Sequence, residues 1–166
     1  AQGLYQRNAR KFGINMLDIF IDADACPVKE EILKVADRYK LAVHLVSNSW
    51  LSMRVGPNVN KVVVSDGFDA ADDWIAENIS DNDIAITSDI PLAERCLTAG
   101  AKVLGPTGKQ FTNNNIGMAL SMRALKQDLR DMGEISGGPA PFSKRDRSQF
   151  LQELDKVIHQ IKRQNN

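Results

Sequence analysis

What most limits the fold of this chain is a repeated handover. Short apolar runs end in small polar or acidic residues, and helical spacing follows most of them within a few positions. The runs are residues 17–21 (LDIFI), 42–46 (AVHLV), 61–64 (KVVV), 83–86 (DIAI) and 102–104 (KVL). Each is too short for a helix and too evenly apolar for a strand with one wet face, so each reads as a strand covered on both sides. Helical patterns occupy residues 27–39, 69–79, 90–100, 113–132 and 143–162. In the first, Val28, Ile32, Val35, Ala36 and Tyr39 form one stripe behind Pro27, a residue welcome at the first helical position. In the last two, Met118, Met122, Leu125, Leu129 and Met132, and then Phe150, Leu154, Val157, Ile158 and Ile161, are the expected core faces. Strands alternating with helices predict an α/β fold: three α/β/α layers around a mostly parallel sheet, joined by right-handed crossovers.

Ligands of such sheets bind beyond the carboxyl ends of the strands. The predicted strands end at Asp22 and Asp24, at Ser47 and Asn48, at Ser65 and Asp66, and at Thr87, Ser88 and Asp89. Parallel strands put all of these on one rim. The second helix starts there too and brings Asp69, Asp72 and Asp73, close enough in sequence for one helical turn to aim together. No matching set of Lys or Arg is visible in these loops, so a hard divalent cation is the expected neutraliser. Each acid also has a plainer reading. Asp24 or Asp22 could cap the first helix, Asp69 with Asp72 could cap the second, and Asp89 before Ile90-Pro91 could cap the third; Asp66 reads as an ordinary loop residue.

A length of 166 residues suits one domain, placed at 16–164. Residues 1–15 have no period and read as a leader or tag. No apolar run nears the roughly 20 residues needed to cross a bilayer. Two cysteines far apart make no disulfide framework, which points to the reducing cytoplasm, and two histidines make no zinc pattern. Cys26 at a helix start could be a low-pKa nucleophile, but no His stands by as its base, and Cys96 has core spacing.

The net charge is zero, but residues 16–105 carry 8 basic against 15 acidic side chains, and residues 106–166 carry 10 against 6. Much of the basic excess surrounds one helix start, where Lys144, Arg145 and Arg147 oppose the helix dipole. An anion such as phosphate would suit that place. A capping Ser143 with Asp146 three residues later would equally explain it.

Six segments, FIDADACPVKEEI, LVSNS, GFDAADDWIAE, ITSDIPLAERC, FTNNNIGMALSMR and GGPAPFSKRDRSQFL, together resemble the YaiI/YqxD-type family of bacterial proteins over about residues 16–164. That family is grouped with the PIN-like domains, many of which are magnesium- or manganese-dependent ribonucleases. The resemblance implies that fold and an acidic carboxyl rim. Asp22 matches the acid after the first strand of the PIN pattern and Asp89 the acid after the fourth. Asp69, Asp72 and Asp73 span the region of a further helix-borne acid, while Asp24 is typical of this family rather than of PIN domains broadly.

The leading expectation is therefore a Mg²⁺- or Mn²⁺-dependent phosphodiesterase acting on RNA. Asp22, Asp24, Asp69, Asp72, Asp73 and Asp89 would hold the metal, with Asp22, Asp24 and Asp89 at the chemistry. Asn48, Ser88, Lys144, Arg145 and Arg147 would hold the phosphate-bearing ligand. A second expectation is a phosphatase of the haloacid-dehalogenase kind, because FIDADAC resembles its signature, with Asp22 as nucleophile and Asp24 as acid/base. The order of the remaining parts opposes it, since Asp72-Asp73 precede Thr87. A third is a non-catalytic domain that binds RNA or a protein.

Overall fold

A computed structural model describes residues 17–65, 67, 69–138 and 140–164. Along the chain come β1 (Asp18–Asp22), a 3-10 turn (Ala23–Ala25), α1 (Lys29–Arg38), β2 (Ala42–Ser47), β3 (Val59–Val63) and α2 (Ala70–Asn78). Then follow β4 (Ile84–Ile86), α3 (Ile90–Thr98), β5 (Lys102–Leu104), β6 (Gln110–Phe111), α4 (Ile116–Asp131) and α5 (Lys144–Gln164). The six strands form one sheet in the order β3-β2-β1-β4-β5-β6. All neighbours are parallel except the short β6, which runs antiparallel to β5. The expected α/β/α layering is thus the observed one. The 3-10 turn delays α1 to Lys29, two residues after Pro27.

Alternation along each strand assigns the two faces. Ile19, Ile21, Val43, Leu45, Ile84 and Ile86 pack with residues of α1 and α5, including the fully buried Ile32, Phe150 and Leu154. Phe20, Val46, Ala85 and Val103 pack with α2, α3 and the first turn of α4. β1 and β4 are central and register Ile21 against Ile86, so they end together, at the place where the strand order reverses.

The predicted core stripe of α4 is overturned. Only Ile116 and Ala119 of that helix are buried, whereas Met118 is 71%, Leu125 50% and Met132 70% exposed. Spacing marks one side of a helix without saying whether anything lies against it. Here α4 packs its start on α3, and the rest of its apolar stripe stays exposed.

The turn after β5 is pinned beneath α5. Gly108 has φ +94, and a Cβ there would stand 3.0 Å from the main-chain carbon and oxygen of Gln149. Gly108→Ala combines left-handed strain of about 1–2 kcal/mol with a clash against main chain. It is expected to lower the urea-derived stability by about 2 kcal/mol or more; an unchanged unfolding midpoint would refute the close approach.

Candidate active site

Two strand ends and one hydroxyl build the centre of the rim. Asp22 is the last residue of β1, and its Oδ2 accepts a 2.9 Å hydrogen bond from the Thr87 hydroxyl just beyond β4. The same Thr87 oxygen accepts the Asp89 main-chain N–H at 3.0 Å. Asp89 in turn caps α3, its Oδ1 accepting the Leu92 N–H at 2.9 Å, with Pro91 in the first turn. Thr-Ser-Asp-Ile-Pro is therefore a strand-to-helix joint in which the cap and the proline set the helix start and the buried Thr87 ties it to β1. The capping role weighed for Asp89 is real, and it leaves Oδ2 without a capping duty.

The carboxyls of this joint feel one another. Burial raises the pKa of Asp22, the Thr87 hydroxyl pulls it back, and the charges of Asp89 and Asp24 push it up again. Asp72, from the first turn of α2, is pushed up to about 6 by burial, then by Asp89, Asp22 and Asp69, with Arg95 opposing. Three separate elements thus direct acids toward one region at the sheet's reversal point.

This arrangement has a signed consequence for stability. An acid with a raised folded pKa keeps its proton in the folded state at pH values where the unfolded chain has lost it. Its charge therefore weighs against folding increasingly as pH rises from about 4 through 6. In chelator-containing buffer, Asp72→Asn is expected to gain stability relative to the native chain between pH 5 and pH 7.5, read from urea midpoints. A difference that does not change with pH would contradict the coupling.

The other predicted residues are dispersed around this centre. Asp24 is exposed, and its Oδ2 accepts the main-chain N–H of Asn48 at 2.9 Å, so Asn48 contributes its backbone to this contact. Asp69 precedes α2 at φ 63 and makes no side-chain cap, against the capping arrangement considered for it. Asp73 is turned to Arg95 of α3, 2.8 Å away. That cation comes from helix rather than loop, which is why the loops alone showed none. Ser88 is exposed next to Thr87. Asp66 lies outside the described residues. Among the described residues, no three His, Cys, Asp or Glu side chains close on one point tightly enough to hold a metal by themselves. The expected single cluster of five or six carboxylates is therefore a looser ring around Asp22, Asp72 and Asp89.

Its donors are all carboxylate oxygens with like charges crowded together. That suits Mg²⁺ or Mn²⁺ better than zinc, because Mg²⁺ is commonly held by one or two carboxylates, its own waters and substrate phosphates rather than by an all-protein cage.

At the start of α5, Ser143 and Asp146 cap reciprocally, at 3.0 and 3.1 Å. Arg147, expected to hold phosphate, gives its Nε–H to Glu31 at 2.9 Å. It lines a cleft of about 400 Å³ with Cys26, Lys29 and Met53. Lys144 and Arg145 are exposed. Lys29 donates to the carbonyls of Ala23 and Cys26 rather than presenting the free ammonium that an Asp22 phosphatase would want. Both thiols are buried and pushed up, Cys26 to about 11 and Cys96 to about 12, so neither is a nucleophile.

One cluster escaped the sequence reading. Asp18 and His44 are completely buried and paired, Oδ2 to Nε2, at 2.9 Å. The Asn60 amide lies 3.2 Å from His44 Nδ1, the Phe20 ring stacks on the imidazole at 4.5 Å, and the Asp18 N–H donates to Asp83 at 3.0 Å. The available signal was a polar residue inside each of two apolar strands, LDIFI and AVHLV.

The model of a family described as "Uncharacterized BCR, YaiI/YqxD family" matches residues 20–160. The chain is 61% identical over 152 residues to a UPF0178 protein of Rhodospirillum centenum, covering 89% of this chain and 99% of that one. It is 56% identical over 148 residues to a UPF0178 protein of Rhodospirillum rubrum, covering 89% and 99%. A UPF0178 protein of Agrobacterium fabrum is 57% identical over 145 residues, covering 87% and 95%. No solved structure matches significantly. Among the described residues, no helix is long and apolar enough to cross a membrane.

Proposed function

We propose, for a chain that belongs to the YaiI/YqxD family, that the rim around Asp22, Asp72 and Asp89 hydrolyses phosphodiester bonds of RNA with Mg²⁺ or Mn²⁺ as cofactor. One observation carries this reading. Carboxyls from three different elements gather at the sheet's reversal point, where burial and the charges of neighbouring acids raise the pKa of Asp22 and Asp72, while the nearby guanidinium of Arg95 is engaged with Asp73. Such crowding is costly in a site that has no cation to receive.

Asp22 and Asp89 would hold the metal, with Asp72 and Asp24 reaching it directly or through water. When bound, it would supply Lewis acidity and a water of lowered pKa. The chain's own part is positional. Thr87 fixes the Asp22 carboxylate and the Asp89 backbone together. The α3 cap orients Asp89. Asp72, near neutrality, is suited to take the proton that an attacking water releases.

The test is hydrolysis of a single-stranded RNA by the purified chain with Mn²⁺, with Mg²⁺ and with EDTA. Cleavage is expected with either metal and none with EDTA. Background rates under all three conditions would reject the proposal.

A further inference from the structure

A groove of about 470 Å³ runs along the uncovered side of α4 and begins at Ile90, the residue next to Asp89. Four basic side chains line it, Lys109, Arg123, Lys126 and Arg130, and no acid does; Asp128 and Asp131 of the same helix are not part of its wall. Among the described residues, Arg123, Lys126 and Arg130 make no ion pair. Lys109 lies over the Phe111 ring at 5.5 Å. Four like charges in one groove repel, and an anionic ligand would relieve them. The groove also contains the exposed Met118 and Met122, whose thioethers make favourable contacts with aromatic rings.

We infer that this groove binds a single nucleic-acid strand and leads it to the rim, with Arg123, Lys126 and Arg130 on its phosphates and Met118 and Met122 against its bases. The inference deepens the phosphodiesterase reading and rests on it for the choice of ligand. Four observations select that occupant. The groove is charged opposite to a phosphate backbone. Its wall includes Ile90, the chain neighbour of Asp89 on the rim where the backbone would be cut. Arg123 to Arg130 spans about 10 Å of helix, over which one strand of a duplex presents about three phosphates. The exposed Met118 and Met122 beside those charges offer contact to base faces, which an unstacked single strand presents and a duplex does not. The assignment moves the strand away from the start of α5, where Arg147 is paired with Glu31.

The test measures binding of a fluorescent single-stranded RNA by anisotropy across a salt series, in an Asp22→Asn background that prevents cleavage. Replacing Arg123, Lys126 and Arg130 together by Gln is expected to weaken binding at least 10-fold and to reduce the slope of log affinity against log salt by about 2, from three lost contacts at about 0.7 each. Replacing Lys144 and Arg145 by Gln is expected to change little. All of these side chains are exposed, and circular dichroism checks that each variant is folded.

Unchanged affinity and slope in the triple variant would overturn the groove. So would absence of RNA binding in a chain that sediments as a dimer and becomes monomeric on Met118→Ser/Met122→Ser, because the face would then belong to a second copy. The two proposals fail separately. An RNA bound through this groove but left intact by the native chain with Mn²⁺ keeps the groove and removes the activity. Cleavage undiminished in a triple variant that keeps Asp22 keeps the activity and removes the groove.

Discussion

Asp22→Asn is expected to reduce metal-dependent RNA hydrolysis at least 100-fold, about 2.7 kcal/mol of transition-state stabilisation, without lowering stability. The two halves of this expectation have one origin. A carboxylate at position 22 is disfavoured in the folded chain, because burial and the charges of Asp89 and Asp24 raise its pKa. The amide has the same shape, its oxygen can still accept from Thr87, and it carries no charge to repel Asp89. In metal-free buffer the variant should therefore unfold at the same temperature as the native chain or higher. Added Mn²⁺ should raise the native midpoint, by an amount equivalent to about 2.7 kcal/mol at one hundred times the dissociation constant, and leave the variant nearly unmoved. A variant that loses activity by misfolding would show a lower midpoint. One that retains both activity and the Mn²⁺ response would exclude Asp22 from the site.

Asp18→Ala is expected to cost about 3–5 kcal/mol, the largest loss of stability foreseen for any single side chain here. His44 is wholly enclosed and has Asp18 on one ring nitrogen and Asn60 on the other. An amide donor on Nδ1 places the ring proton on Nε2, facing the carboxylate. Truncating Asp18 leaves that N–H inside the protein with no acceptor and opens a void beside it. Against a typical domain stability of about 5–15 kcal/mol, the loss is large. Asp18→Asn, which keeps an acceptor oxygen, should recover most of it. Removing both partners as Asp18→Leu/His44→Leu should cost less than the sum of the single changes, because no polar group is then stranded. Urea titrations of the native chain, Asp18→Ala, Asp18→Asn, Asp18→Leu, His44→Leu and the double variant decide this. Additive losses would show that the pair is not coupled.

Much of this molecule was legible in one dimension because its signals are local. Five apolar runs, the proline after Cys26 and the Asp-Ile-Pro cap each act within a few residues, so strand ends and helix starts could be read and the rim inferred from a rule about parallel sheets. Asp22 and Asp89 emerged that way. Contacts that depend on distant partners did not. Nothing local foretold that α3 brings Arg95 to Asp73 or that α1 brings Glu31 to Arg147. The Asp18–His44 pair exists only because β1 and β2 register Asp18 against Ala42, which puts His44 two positions along on the same face.

Helix α4 marks the boundary between the two kinds of information. Its 4-3-4-3 apolar spacing belongs to the sequence, since periodicity is a property of neighbours along the chain. Whether that side is core or surface belongs to the tertiary structure, because it depends on whether another element lies against it. Only the first turn is buried, against α3, and the expected core became an open, basic face.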